Sequence, residues 1–273
     1  MQKFSYHTHT NSYGIYDGSN SIEEMITKAE QLGLEEIGIS NHLVVHPSLP
    51  QNIRIYFNSF EEGGDIFKRT AEDIRTEAQK HKIKVKVGFE VDFSPDATWR
   101  KDFENFIKTL DFDYLIGSSH SILSKDFQNA YPLYGIKNGW LKISKEEVEE
   151  NKSSYWYALE EAIKSGYFDF IAHFDLIYKF NLGQSLLCDK KREKALEAFI
   201  KTKQPFELNT SIFSHYTDNK ESIEMLKILR DGGVPTLISD DAHSADRITD
   251  HFAEAEAILS NLNYQNRWSL TKK

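Results

Sequence analysis

Two kinds of segment alternate along the chain. Short runs rich in Ile, Val, Phe and Tyr occupy residues 3–6, 36–40, 84–89, 113–117, 168–172, 205–208 and 235–239. Between most of them the apolar residues recur at helical spacing. Across residues 21–32, for example, Ile22, Met25, Ile26, Ala29 and Leu32 share one face. Residues 66–80, 99–110, 148–164, 192–201 and 223–229 read the same way. Gly33 and Gly166 stand where the first and fourth of these helices should stop, because glycine takes the left-handed turn that ends a helix. Alternation of strand and helix predicts parallel strands joined by crossovers. Seven such units without an internal linker predict a single α/β domain over residues 1–273, arranged as a barrel, with a doubly wound open sheet as the alternative. Two connections, residues 43–64 and 121–144, are long for a compact domain and are expected to be functional or mobile loops. The polar tail, residues 263–273, is expected to fray unless Trp268 and Leu270 dock it.

The chemistry follows the apolar runs. In order, they lead to His7-Thr8-His9, Asn41-His42, Glu90, Ser119-His120, His173, Asn209 and Asp241-Ala242-His243. Six of these seven ends carry a histidine or a carboxylate, and in a parallel barrel the C-terminal ends of the strands converge on one face. Residues two apart on a strand point the same way, so His7 and His9 can grip one ion and Asp241 and His243 can face one cavity. Asp240 then points away. A lone histidine is ordinarily a packing or surface residue, but independent histidines should not all fall at strand ends. The donor set, imidazole nitrogen and carboxylate oxygen without thiolate, suits zinc, manganese or iron. Of the other histidines, His81 reads as a helix-end residue, His46 and His215 as loop residues within reach of a substrate, and His251 as the exposed start of the last helix.

Charge and composition narrow the partners. A formal net charge of −9 argues against a phosphate-tracking surface for nucleic acid. It leaves room for a small anionic substrate, because bound cations invert the local field. The single cysteine, Cys188, excludes an intramolecular disulfide and fits a reducing compartment. No apolar run has the length of a signal peptide or a membrane span, so a cytoplasmic location is expected.

His7-Thr8-His9, His42, Glu90, Ser118-Ser119-His120, Ala172-His173-Phe174-Asp175-Leu176-Ile177 and Asp241-Ala242-His243, in this order, resemble the motifs of the polymerase-and-histidinol-phosphatase (PHP) superfamily. The free-standing length resembles its histidinol-phosphate phosphatase branch. The resemblance implies a distorted (β/α)7 barrel of the amidohydrolase-like type holding three divalent metal ions. It implies that His7, His9, Glu90 and Asp241 bind the first metal. Glu90 would bridge to a second held by His120 and His173. His42 and His243 would bind the third, with one residue from the loop after His9. That loop has no histidine between Asn11 and Gly18, which leaves Asp17 as the candidate.

The expected activity is hydrolysis of a phosphomonoester, L-histidinol phosphate above all, in histidine biosynthesis. A metal-bridging water, its pKa lowered towards neutrality, would attack phosphorus as hydroxide. Glu90, Asp241 and Asp17 are then the central acidic residues. Arg247, with Arg54 behind it, is the candidate guanidinium for the phosphate, and Asn209 for orienting substrate or water. Asp92, Asp17 and a metal-bound water are equal candidates for the leaving-group proton. Glu61, Glu62, Tyr131, Tyr134 and Trp140, in the two long connections, are candidates for the imidazole and amine of such a substrate. The competing expectations are a phosphodiesterase or exonuclease with the same metals, and a silent metal-binding domain. The sequence is mute on oligomeric state.

Overall fold

Every one of the seven predicted strands forms, and each pairs with the next in chain order. The computed structural model describes residues 2–213 and 220–270, so His215 lies outside the described residues. The strands are Phe4–Ser5, Glu36–Ile39, Lys84–Asp92, Tyr114–Ser118, Phe170–Ile171, Phe206–Asn209 and Thr236–Ser239, and all their pairings are parallel. The barrel closes between its first and last strands by two devices rather than by a continuous ladder. At one end the Gln2 side chain stands in for backbone: Nε2 donates to the Ile238 carbonyl (2.7 Å) and Oε1 accepts from the Ile238 amide (3.0 Å). At the other end Thr8 and Ala242 form a parallel bridge.

Helices cover the outside. The largest apolar cluster joins strand residues such as Ile37, Phe89, Leu115 and Phe206 to helix residues such as Met25, Phe67, Phe103, Leu159 and Phe199. A smaller cluster of Tyr6, Tyr114, Ile116, Phe170, Ala172 and Leu237 fills the interior. Two glycines make room for it. A Cβ on Gly38 would stand 2.1 Å from the Tyr114 hydroxyl and one on Gly88 2.2 Å from its ring, so only glycine admits that side chain at the centre. The packed interior closes the barrel below and leaves its C-terminal end to the polar residues.

The differences from expectation have local causes. Residues 43–64 are not one loop. A strand, His42–Val45, extends the second strand after an interruption at Ser40 and Asn41; Tyr56–Phe57 pairs with it, and the following helix already starts at Phe60. Gly63 sits inside that helix because Phe67 and Phe57 occupy the space of its missing side chain, a Cβ there standing 2.6 Å from Phe67. Residues 121–144 hold an antiparallel hairpin, Ser121–Leu123 with Ala130–Pro132, and the short helix Leu133–Asn138. The helix expected over 148–164 is two, Lys145–Asn151 and Ser154–Ser165. At the break the Ser154 hydroxyl accepts from the Leu123 amide (2.6 Å), serving the hairpin. The tail docks rather than frays: the Trp268 amide bonds the Thr236 carbonyl (2.9 Å), and Trp268 and Leu270 pack on the interior cluster.

Candidate metal centre

The seam that closes the barrel also builds one wall of the site. The His9 amide donates to the Ala242 carbonyl (2.9 Å) and the Ala242 amide to the His7 carbonyl (3.2 Å). Thr8 turns outward and its hydroxyl bonds the Gly38 carbonyl (2.8 Å), so His7 and His9 turn inward by the period of two. Asp241 is held at φ 49°, in the left-handed region that few non-glycine residues adopt. Asp240 faces the other way, accepting from the Ser5 hydroxyl (2.8 Å) and the Thr249 amide (2.6 Å), and burial pushes its carboxyl up to about 7.

Across the barrel, the interruption before His42 is filled by Asn41, whose Oδ1 accepts from the Thr10 amide (2.7 Å). The strand then resumes with His42 in register with Glu90. Asp92, two residues further along the Glu90 strand, accepts from the His120 amide (2.7 Å) and lies 3.6 Å from its Nδ1.

Glu90 lies at the centre, fully buried, and reaches five histidines. Its Oε2 is 2.8 Å from His42 Nδ1, 3.2 Å from His7 Nε2 and 3.6 Å from His9 Nε2; its Oε1 is 2.8 Å from His173 Nε2 and 3.1 Å from His120 Nε2. Asp241 Oδ1 is 3.0 Å from His9 Nε2, 3.4 Å from His7 Nε2 and 3.6 Å from His243 Nδ1. Asp17, at the solvent side, is 3.3 Å from His243 Nε2 and 3.6 Å from His42 Nε2. These contacts gather the nine residues into four overlapping groups able to hold a cation: His9–Asp17–His42–His243, His7–His173–Asp241, His7–His9–Glu90 and His42–Glu90–His120.

The polar atoms here fit metal ions better than one another. His7 Nε2, His9 Nδ1 and Nε2, His42 Nδ1, His173 Nδ1, Glu90 Oε2 and Asp241 Oδ1 are buried and make no hydrogen bond, although several lie within 3.6 Å of an opposite partner. Buried polar groups are ordinarily hydrogen-bonded. Donors that crowd without aligning are what a shared cation would use.

The electrostatics agree. Burial alone would raise the carboxyl of Glu90, but His120, His7 and His42 outweigh it and hold the group well below the carboxylate range. Against the same burial, His7 and His9 hold Asp241 well down, and His42 and His243 do so for Asp17. Burial with His243 and His42 nearby pushes His9 down to about 3. At His120 burial is overcome by Glu90 and Asp92, and the ring is raised to about 9. Burial is likewise overcome at His7 by Glu207 and Glu90, at His42 by Glu90 and Asp17, and at His243 by Asp17 and Asp241, so all three are raised.

Other expected residues lie around this cluster. Asn209 is buried, its Nδ2 donating to Glu207 Oε1 (2.7 Å) and its Oδ1 accepting from the Ser211 amide (2.8 Å). Arg54 donates to the Gly14 carbonyl (3.1 Å), in the loop that carries Asp17. Arg247 is half exposed and pairs with Asp250 (3.1 Å). His46 lies between Ser48 Oγ (3.0 Å) and the Phe127 carbonyl (3.1 Å), His81 pairs with Glu77 and Glu30, and His251 with Glu254. Glu62 and Tyr131 serve local structure, bonding the Asn58 amide and Glu147.

Three neighbours escaped sequence reasoning. Glu207 underlies His7 and His173 (His7 Nδ1 to Oε2, 2.9 Å). Its signal was its place two residues before Asn209 on one strand face. Lys179 feels the Asp241 carboxylate, while burial pulls its ammonium below the usual lysine range. Tyr56 feels both Asp92 and Asp17, and burial pushes its phenol above the usual range. Neither Lys179 nor Tyr56 belongs to a motif, so no sequence signal marked them.

Residues 5–211 match the family model of the PHP domain. The chain is 25% identical over 260 residues to a histidinol-phosphatase of Lactococcus lactis subsp. lactis (strain IL1403), covering 90% of this chain and 86% of that protein. It is also 25% identical over 175 residues to a probable histidinol-phosphatase of Deinococcus radiodurans, covering 64% of this chain and 63% of that one. Its fold is similar to the crystal structure of the Lactococcus lactis histidinol phosphate phosphatase complexed with zinc, L-histidinol and phosphate. The TM-score is 0.71 at 20% identity, over 97% of this chain and 95% of that chain.

Proposed function

Because the chain belongs to the PHP domain family, we propose that it is a metal-dependent phosphomonoesterase that hydrolyses L-histidinol phosphate to L-histidinol and phosphate in histidine biosynthesis. The observation that carries the reading is the cluster of nine inward-facing ligands, in a chain that aligns with a histidinol-phosphatase over 90% of its length. The metals, zinc, manganese or iron at three positions, would supply Lewis acidity towards phosphoryl oxygen and lower the pKa of a bound water.

The chain's own residues do the rest. Glu90 links the histidines of the first two metal positions, Asp241 anchors the seam side, and Asp17 with His42 and His243 forms the outer position. Three divalent ions against these three carboxylates leave the cluster net positive inside an acidic protein, which suits a phosphate dianion. Arg54 and Arg247 are the guanidinium candidates for the phosphate, and Asn209 acts on orientation through Glu207. The buried free thiol of Cys188 is compatible with a reducing, cytoplasmic setting, and among the described residues no helix is long and apolar enough to cross a membrane.

The test is phosphate release by the purified protein from L-histidinol phosphate, nucleoside monophosphates and short oligonucleotides, before and after chelation. The expected result is chelator-sensitive turnover with clear preference for histidinol phosphate. Preference for nucleotides would replace this substrate with the nuclease reading. No hydrolysis of any ester by metal-loaded protein would reduce the chain to a binding domain.

A further inference from the structure

Beneath the nine candidate ligands, six histidines and three carboxylates, lies a further acidic group that none of the metal positions includes. Glu207 sits on the strand Phe206–Asn209, where Phe206 and Leu208 face the helix layer and Glu207 and Asn209 face the barrel interior. Its side chain is fully buried, and among the described residues it pairs with no lysine or arginine. A buried carboxylate needs either a cation or a full set of donors. Its donors are specific. His7 Nδ1 lies 2.9 Å from Oε2 and 3.1 Å from Oε1, while Oε1 also accepts from the His173 amide (3.0 Å) and from Asn209 Nδ2 (2.7 Å).

The consequence for His7 is chemical. In the neutral ring that ligation requires, a carboxylate within hydrogen-bond distance of Nδ1 holds the one remaining proton there and leaves the Nε2 lone pair free. That Nε2 is the atom that is buried, makes no hydrogen bond and faces Glu90 and Asp241. The consequence for His173 is geometric. Its backbone is fixed to the same oxygen, and its ring lies 5.7 Å from that of His7. One side chain therefore keys two ligands on two different strands' ends.

We infer that Glu207 is a positioning residue for the metal centre: it fixes the tautomer of His7 and ties His7, His173 and Asn209 into one unit, so that the two inner metal positions, served by His7 and by His173, depend on it. The inference rests on the metal-centre reading above but not on the identity of the substrate. Outer partners of ligating histidines typically set metal affinity by about ten- to a hundredfold. Glutamine keeps the shape of Glu207 but loses the charge, and an amide nitrogen turned to Nδ1 would force the proton onto Nε2, where it blocks ligation.

The experiment is zinc titration of the metal-free wild type and of Glu207→Gln by calorimetry, with elemental analysis of the loaded proteins and circular dichroism as a check of folding. The expected result is loss of about ten- to a hundredfold in affinity at the two inner positions, the outer position of Asp17, His42 and His243 binding as in the wild type. Unchanged affinities and stoichiometry would overturn the inference. Nitrogen NMR of the zinc-loaded wild type gives a second reading that does not need the variant to fold: Nδ1 of His7 should be protonated and Nε2 ligated. The reverse assignment would overturn the inference equally. A wild type that binds zinc through this arrangement yet hydrolyses no histidinol phosphate would sink the functional reading and leave Glu207 in its role.

Discussion

Glu90 touches five histidines, so its substitution should do more than delete one ligand. Glu90→Gln is expected to abolish turnover and to lower metal content by more than one equivalent, read by elemental analysis. Among the described residues Asp17 pairs with His42 and His243, on the solvent side of the cluster. Asp17→Asn should therefore cost the outer metal alone and leave the other two; unchanged rate and metal content would remove Asp17 from the centre. The two arginines separate at the same scale. Arg54 is tied to the Asp17 loop, whereas Arg247 is half exposed and engaged with Asp250. A charge-assisted hydrogen bond to phosphate is worth about 1.5–3 kcal/mol, roughly ten- to a hundredfold. Arg54→Ala should raise KM by that factor with metal content intact, and Arg247→Ala should change KM less. Steady-state kinetics with the opposite ranking would make Arg247 the phosphate ligand.

Among the elements, the joint between the first and last strands is the point most exposed to test. Gln2 satisfies the amide and carbonyl of Ile238 in place of a neighbouring strand. Gln2→Ala leaves buried backbone groups unpaired and should destabilise the protein by about 1–3 kcal/mol in urea unfolding. A shift within a few tenths of a kcal/mol would mean that the seam is held by Thr8 and Ala242 alone. The seam also marks what the sequence could and could not tell. The seven strands and the convergence of the polar residues at their ends were legible because buried parallel strands are continuous apolar runs and polar residues break them abruptly. Helix starts were not: the helix expected from residue 66 begins at Phe60, with Gly63 inside it against the ring of Phe67. The interruption before His42 was also hidden, since it depends on Asn41 bonding Thr10, far away in sequence. Glu207 escaped for a similar reason, because the two histidines it holds lie at the ends of other strands.

At the scale of the whole molecule, the acidic chain concentrates its histidines at one point and leaves the metal-free centre rich in protons. His7, His42, His120 and His243 all have raised pKa values, His120 to about 9. Ligation needs neutral imidazole, so metal uptake at neutral pH must expel those protons. Affinity should therefore rise with pH from about 6 to 9 and level off above the raised values, and calorimetry in buffers of different ionisation enthalpy should register net proton release. Affinity independent of pH across that range would mean that these rings do not bind metal. The most direct test of the centre itself is a metal count per chain on protein purified without chelator. The account predicts two to three equivalents of zinc, manganese or iron; less than half an equivalent, not restored by added metal, would contradict it.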